Sequence, residues 1–147
     1  MIVWRITRPP YAANPLSGEG AARYANRWNS KGVRMGYTST SRSLAVVEML
    51  MHVARGASPA SALLLPFDVP DKLIAELKDP PPGWSESPFG EASQAAGDHW
   101  IREMKSAALL VPSAVLPAER NLLINPRHPD FPKIKVQPYE TPRLLQP

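Results

Sequence analysis

The 147-residue chain contains no cysteine, which excludes a disulfide framework, a thiol nucleophile and any zinc or iron–sulfur site built on Cys. Long apolar runs are lacking as well. The first stretch, MIVWRITRPPY, carries charge at Arg5 and meets Pro9 and Pro10, so it is expected to be neither a signal peptide nor a membrane span, and a soluble, cytoplasmic protein is expected. Glycine is sparse, at eight residues. Gly18-Glu19-Gly20 matches neither the dinucleotide fingerprint nor the phosphate-binding P-loop, so a bound nucleotide must have its phosphates held by arginines. A basic stripe is missing too, despite a net charge of +4 and a pI near 9.6. Lys and Arg are scattered singly from Arg5 to Arg143 without interleaved aromatics, so direct nucleic-acid binding is not expected. The modest positive balance suits an acidic small molecule or an acidic protein partner.

Proline is plentiful, with eighteen residues at apparent element boundaries such as Pro80-Pro81-Pro82, Pro112, Pro126 and Pro129. The length and this punctuation predict one compact domain over residues 1–147, with long ordered loops and no internal repeat. Ile2, Trp4 and Ile6 alternate with Val3, Arg5 and Thr7, the period-2 pattern of a strand with one face buried. Residues 9–32 read as a long loop with a helical turn at 20–24. Val33, Met35 and Tyr37 mark a second strand, and the cap-rich run Thr38-Ser39-Thr40-Ser41 introduces a helix over 42–55, stopped by Gly56. That helix is apolar nearly all round and is predicted to be buried. Residues 62–69 read as a core strand and 73–78 as a short helix. A further helix is predicted over 91–105 with Ala92, Ala95, Ile101 and Met104 inward. Strands are predicted at 107–111, 122–124 and 134–136, for a mixed α and β total.

Between Leu44 and Ala54 the only ionisable side chains are Glu48 and His52, one turn apart on the same face. A carboxylate on a buried helix needs donors or a cation, and Arg27, Lys31, Arg34 and Arg42 are the nearby candidates. Glu48 therefore has two readings: a structural ion pair with a loop arginine, or an active-site carboxylate on the floor of a cleft. His52 reads more readily as a structural residue. Glu48, His52, His99 and His128 lack the spacing of metal ligands, so no metal is expected. Ser113, within Val111-Pro112-Ser113-Ala114, lacks the glycines of a nucleophile elbow. The run Arg27-Trp28-Asn29-Ser30-Lys31-Gly32 offers a phosphate donor, an aromatic, an amide and a second cation in one loop. It reads equally well as a polar loop anchored by a buried tryptophan.

Taken together, Asn26 to Gly32, then Tyr37-Thr38-Ser39, then Leu44-Ala45-Val46-Val47-Glu48 with His52, resemble the RES domain family, whose name refers to its Arg, Glu and Ser. Val111-Pro112-Ser113-Ala114-Val115 and Asn121-Leu122-Leu123-Ile124-Asn125-Pro126-Arg127-His128-Pro129-Asp130-Phe131 extend the resemblance over nearly the whole chain. Asn26 departs from it, standing where many relatives have glycine. Glu140-Thr141-Pro142-Arg143-Leu144 departs as well, lacking the Asp that often precedes the terminal Arg-Leu.

The resemblance implies an α+β, ADP-ribosyltransferase-like fold: a single domain with a mixed, mainly antiparallel sheet and flanking helices. It implies the toxin of a bacterial toxin–antitoxin system that cleaves the nicotinamide–ribose bond of NAD, depleting NAD by hydrolysis or phosphorolysis or transferring ADP-ribose to a protein. NAD is then the substrate, with no further cofactor. The implied partners are an Xre-type antitoxin covering the site and a second copy in a homodimer. Arg27, Tyr37 and Glu48 are the implied catalytic set. Arg27 would clamp the pyrophosphate, Tyr37 would stack on nicotinamide and Glu48 would serve the ribose. Arg5, Trp28, Asn29, Lys31 and Ser113 are the remaining candidate NAD contacts, Ser113 toward the nicotinamide amide or the acceptor. A nucleic-acid-binding or RNA-cleaving toxin, with His52, His99 and His128 as acid–base groups, is the alternative. A non-catalytic interaction module is a third reading.

Overall fold

The computed structural model describes residues 1–52 and 61–143, with the backbone alone at His52. In chain order the strands are β1 (Ile2–Thr7), β2 (Gly36–Ser39), β3 (Leu63–Asp68), β4 (Ile74–Glu76), β5 (Ala108–Pro112), β6 (Arg120–Ile124) and β7 (Lys135–Val136). The helices are α1 (Glu19–Arg23), α2 (Arg42–His52) and α3 (Glu91–Glu103). The strands form a single sheet in the order β4-β5-β6-β2-β1-β3-β7, antiparallel throughout except where β4 runs parallel to β5. The expected α+β class with a mixed, mainly antiparallel sheet is what the chain adopts. Among the described residues no helix is long and apolar enough to cross a membrane.

Side-chain alternation divides the sheet into two covered faces. One carries Val3, Leu65, Phe67, Ala108, Leu122 and Ile124, packed under Leu16, Phe131 and Ile134. The other carries Leu109, Val111 and Leu123 under Trp28 and Trp100, with Trp4 and Leu64 under Ala45 of α2. This corrects the one-sided expectation for β1. Val3 is fully buried and Ile2 is 43% exposed, because β1 lies inside the sheet with a layer on each side.

Ser41 caps α2 by accepting the Leu44 backbone N–H at 3.1 Å, the role expected of the Ser/Thr run. The helix is not buried all round, however. Leu44 and Ala45 pack on the sheet, while Leu50 and Met51 are 48% and 65% exposed, since a helix laid on a sheet covers only one of its faces. Its predicted last three residues and Gly56 fall outside the described residues. The second strand begins at Gly36 rather than Val33 and takes in Thr38 and Ser39, because pairing with β6 runs from Gly36↔Ile124 to Ser39↔Asn121.

The short helix predicted over 73–78 is instead a 3-10 turn at Asp71–Leu73 running into β4. Pairing with β5 from Ile74↔Ala108 to Glu76↔Leu110 overrides local preference there. Helix α3 exists as expected but presents another face: Ser93, Gly97, Asp98 and Trp100 are buried, whereas Ala92, Ala95 and Met104 are exposed. A small, polar face is needed because α3 meets backbone. An added Cβ at Gly97 would lie 1.7 Å from the Trp28 carbonyl oxygen.

Candidate functional site

Tyr37 and Ser39 are two residues apart on β2 and share one face of the sheet, opposite Leu123 and Asn121 of β6. Helix α2 crosses above them and brings down Glu48, which is half-buried. Glu48 Oε1 accepts hydrogen bonds from Ser113 Oγ at 2.6 Å and from Asn121 Nδ2 at 2.8 Å. Ser113 is wholly buried, and its Oγ also accepts the N–H groups of Val115 at 3.2 Å and Leu116 at 3.1 Å. With both backbone donors aimed at its oxygen, Ser113 directs its single proton to Glu48. That geometry makes it a donor to the carboxylate.

The loop over 26–32 supplies the opposite wall. Asn29 is fully buried and spends its amide on the carbonyls of Ala21, Ser30 and Val33 at 2.8, 3.1 and 3.2 Å. Its Oδ1 accepts the Tyr37 hydroxyl at 2.6 Å, and the same hydroxyl accepts the Trp28 N–H at 3.2 Å. Trp28 is buried and stacks on Trp84 with ring centres 6.0 Å apart. Asp98 of α3 holds the loop from behind, accepting the Ser30 N–H at 3.0 Å and the Ser30 hydroxyl in a very short contact. Trp28 and Asn29 thus build the wall, and Lys31 is exposed.

Of the four cations considered for Glu48, Arg27 is electrostatically coupled to it. Burial lowers the Arg27 pKa, and Glu48 and Tyr37 pull it back up. Its NH1 donates to the carbonyls of Trp84 and Glu86, each at 2.8 Å, and its guanidinium lies 6.0 Å from the Phe89 ring centre. Arg42 is instead engaged by Glu140 at 2.8 Å and stacks over Trp4 at 3.8 Å. Arg34 pairs with Glu19 at 3.7 Å. Arg5 donates from NH1 to the Tyr37 carbonyl at 2.9 Å, and its Nε is a buried donor with no acceptor among the described residues. Burial lowers the Arg5 pKa.

Burial also pushes the Tyr37 phenol far above its ordinary value, partly countered by the Trp28 N–H, so this hydroxyl stays protonated at neutral pH and is no general base. The unfolded chain ionises Tyr37 first, near pH 10. The associated stability is therefore complete below about pH 10 and lost as pH rises beyond it. In urea unfolding, Tyr37→Phe is expected to cost about 1–3 kcal/mol, because it orphans the Trp28 N–H and Asn29 Oδ1, and to flatten the alkaline fall in stability. An unchanged urea midpoint would show that this hydroxyl does not hold the loop.

The other histidines lie elsewhere. His99 pairs with Glu103 at 2.8 Å, and His128 Nε2 meets the Met104 carbonyl at 3.0 Å. Among the described residues no group of acids and histidines is placed to hold a metal. A cavity of about 290 Å³ lined by Asn14, Leu16, Arg34, Arg127 and Phe131 contains none of the candidate site residues. The space beside Arg27 is taken up by the loop at 80–90. Asn121, Ser39, Asp98 and Trp84 were not singled out as functional from sequence. Asn121 was legible as a polar residue entering an apolar strand, but its partner on β2 is 82 positions away.

The fold is that of a solved chain from the M. tuberculosis MbcT–MbcA toxin–antitoxin complex, with a TM-score of 0.70 at 22% identity over 95% of this chain and 82% of that one. The sequence pattern of the RES domain matches residues 2–145. A protein of Sphingobium sp. (strain YBL2) named Prs ADP-ribosylating toxin is 41% identical, covering 91% of this chain and 88% of its own length. Proteins named Toxin Res from Yersinia enterocolitica and Pseudomonas putida are 35% and 36% identical, covering 89% and 93% of this chain and 88% and 92% of their own. The chain belongs to the RES domain family.

Proposed function

We propose that this RES-family toxin cleaves the nicotinamide–ribose bond of NAD and passes ADP-ribose to water, phosphate or a protein side chain. The observation that carries the reading is the convergence of Arg27, Tyr37 and Glu48, with the Glu48 carboxylate fixed by two side-chain donors on the sheet face. The name of the Sphingobium relative supports it. In the reaction the C–N bond breaks, nicotinamide leaves as a neutral ring with the bonding pair, and the ribose carbon becomes oxocarbenium-like until an oxygen nucleophile closes on it and loses its proton. Glu48 stabilises that developing positive charge through the ribose. The Tyr37 ring, held by its hydroxyl, is the platform for nicotinamide. Arg27 exchanges the carbonyls of Trp84 and Glu86 for pyrophosphate oxygens, whereas Arg5, on the Val3 and Leu65 face of β1, braces the Tyr37 carbonyl from the other side of the sheet.

The test is incubation of the purified protein with NAD, with and without phosphate, followed by chromatography. Free nicotinamide is expected, and ADP-ribose or its 1″-phosphate identifies the acceptor. Intact NAD, no labelled protein and degraded RNA would overturn the reading. Arg27→Lys is expected to raise the NAD KM by about tenfold or more, since an ammonium cannot reproduce a planar guanidinium fork on phosphate. An unchanged KM would remove Arg27 from the substrate. The proposed partner is an Xre-type antitoxin that covers this site, checked by loss of NAD cleavage in the co-purified complex.

A further inference from the structure

We propose that Asn121, oriented by Ser39, positions the Glu48 carboxylate, so that the sheet itself aims the residue on which the reaction depends. The inference rests on the NAD reading only for its kinetic consequence. Three adjacent strands each contribute one polar group beneath α2: Ser39 from β2, Asn121 from β6, and Ser113 from the segment that follows β5. Ser39 and Asn121 are register partners, so their side chains stand side by side on the same face. The Ser39 hydroxyl donates to Asn121 Oδ1 at 2.8 Å, and Asn121 Nδ2 donates to Glu48 Oε1 at 2.8 Å.

The direction of that chain matters. An amide has one accepting end and one donating end, and the flipped amide would set its oxygen against a carboxylate oxygen. Ser39 occupies the accepting end and so keeps the donating end on Glu48. Ser113 reaches the same Oε1, and two donors converging on one oxygen fix the plane of the carboxylate as well as its place. Strand residues aim more accurately than loop residues because pairing on both sides holds their backbone. β6 is paired on both sides, with β5 and β2. Asn121 faces the group expected to act on the ribose.

The proposal is tested on Asn121→Ala, the isosteric Asn121→Asp, and Ser39→Ala, with two independent readouts. In carbon-13 spectra of Glu-labelled protein, the Glu48 carboxyl signal is assigned by its absence from Glu48→Gln. It is expected to titrate at higher pH in Asn121→Ala than in the native chain, because a donor to the ionised form is gone. Ser39→Ala is expected to move it less, in the same direction. In NAD turnover, kcat is expected to fall about 10- to 100-fold in Asn121→Ala with KM within about threefold, the scale on which losing an orienting partner acts. Asn121→Asp should fare worse still, keeping the shape while opposing the charge. An unmoved Glu48 signal, or losses confined to melting temperature, would overturn the proposal. If the native chain leaves NAD intact, the functional reading fails while the carboxyl titration still decides the positioning. Should Asn121→Ala not fold, Ser39→Ala decides alone, since it leaves Asn121 in place.

Discussion

Glu48→Gln is expected to lower NAD cleavage by at least about 100-fold while leaving the melting temperature within a few degrees of the native value. Glutamine keeps an oxygen where Oε1 accepts from Ser113 and Asn121, so the network beneath α2 persists and the packing of Leu44 and Ala45 is untouched. What disappears is the negative charge that, in the proposed mechanism, meets an oxocarbenium-like ribose. The substitution therefore separates chemistry from folding, which an alanine would not, because alanine leaves two donors without an acceptor. Turnover and far-ultraviolet circular dichroism on the same preparation make the comparison. A Gln variant as active as the native chain would sink the assignment of Glu48.

The second large effect is expected far from the carboxylate. Gly97→Ala should destabilise the fold by about 3 kcal/mol, lowering the melting temperature by roughly 6–12 °C. The added methyl would overlap the Trp28 carbonyl oxygen at 1.7 Å, and its other near neighbours are also Trp28 backbone, at 2.7 and 3.1 Å. No side-chain rotation relieves such a contact, so α3 or the loop over 26–32 has to move. That loop carries Arg27 and holds the Tyr37 hydroxyl, so turnover should fall together with stability, the opposite pattern to Glu48→Gln. Alanine tolerated at this position would mean that α3 does not fix the loop.

Helix α3 also illustrates where sequence reading stops. Its existence was plain from composition, but its buried face was not, because that face holds Gly97 and Asp98 and meets backbone, whereas periodicity detects apolar side chains. The tract at 73–78 went the other way. Six residues with apolar positions fit a helix or a strand equally, and only the parallel partner β5, more than thirty residues downstream, decides between them. In contrast β1, β3, β5, β6 and the start of α2 were legible to within a few residues, since each combines a clear period with a turn or cap at its boundary.

Arg27, Tyr37 and Glu48 were nameable because they stand in short motifs, and Glu48 stood out as an acid within an apolar helix. The groups that hold them were hidden. Asp98 meets Ser30 across 68 positions and Asn121 meets Glu48 across 73, distances over which one sequence carries no pairing signal. The choice among cations was likewise a matter of tertiary structure: only folding shows that Arg42 is engaged by Glu140 and Trp4, and Arg34 by Glu19.

Arg27 donates to the Trp84 and Glu86 carbonyls, so a nucleotide arriving at this guanidinium enters a competition. Neutral carbonyl oxygens are weaker acceptors for a guanidinium than phosphate oxygens, roughly by a factor of two, so a pyrophosphate competes for Arg27 better than an uncharged nucleoside. On the proposed reading, the loop at 80–90 would thereby sort ligands by charge, because Arg27 leaves its two carbonyls only for a stronger acceptor.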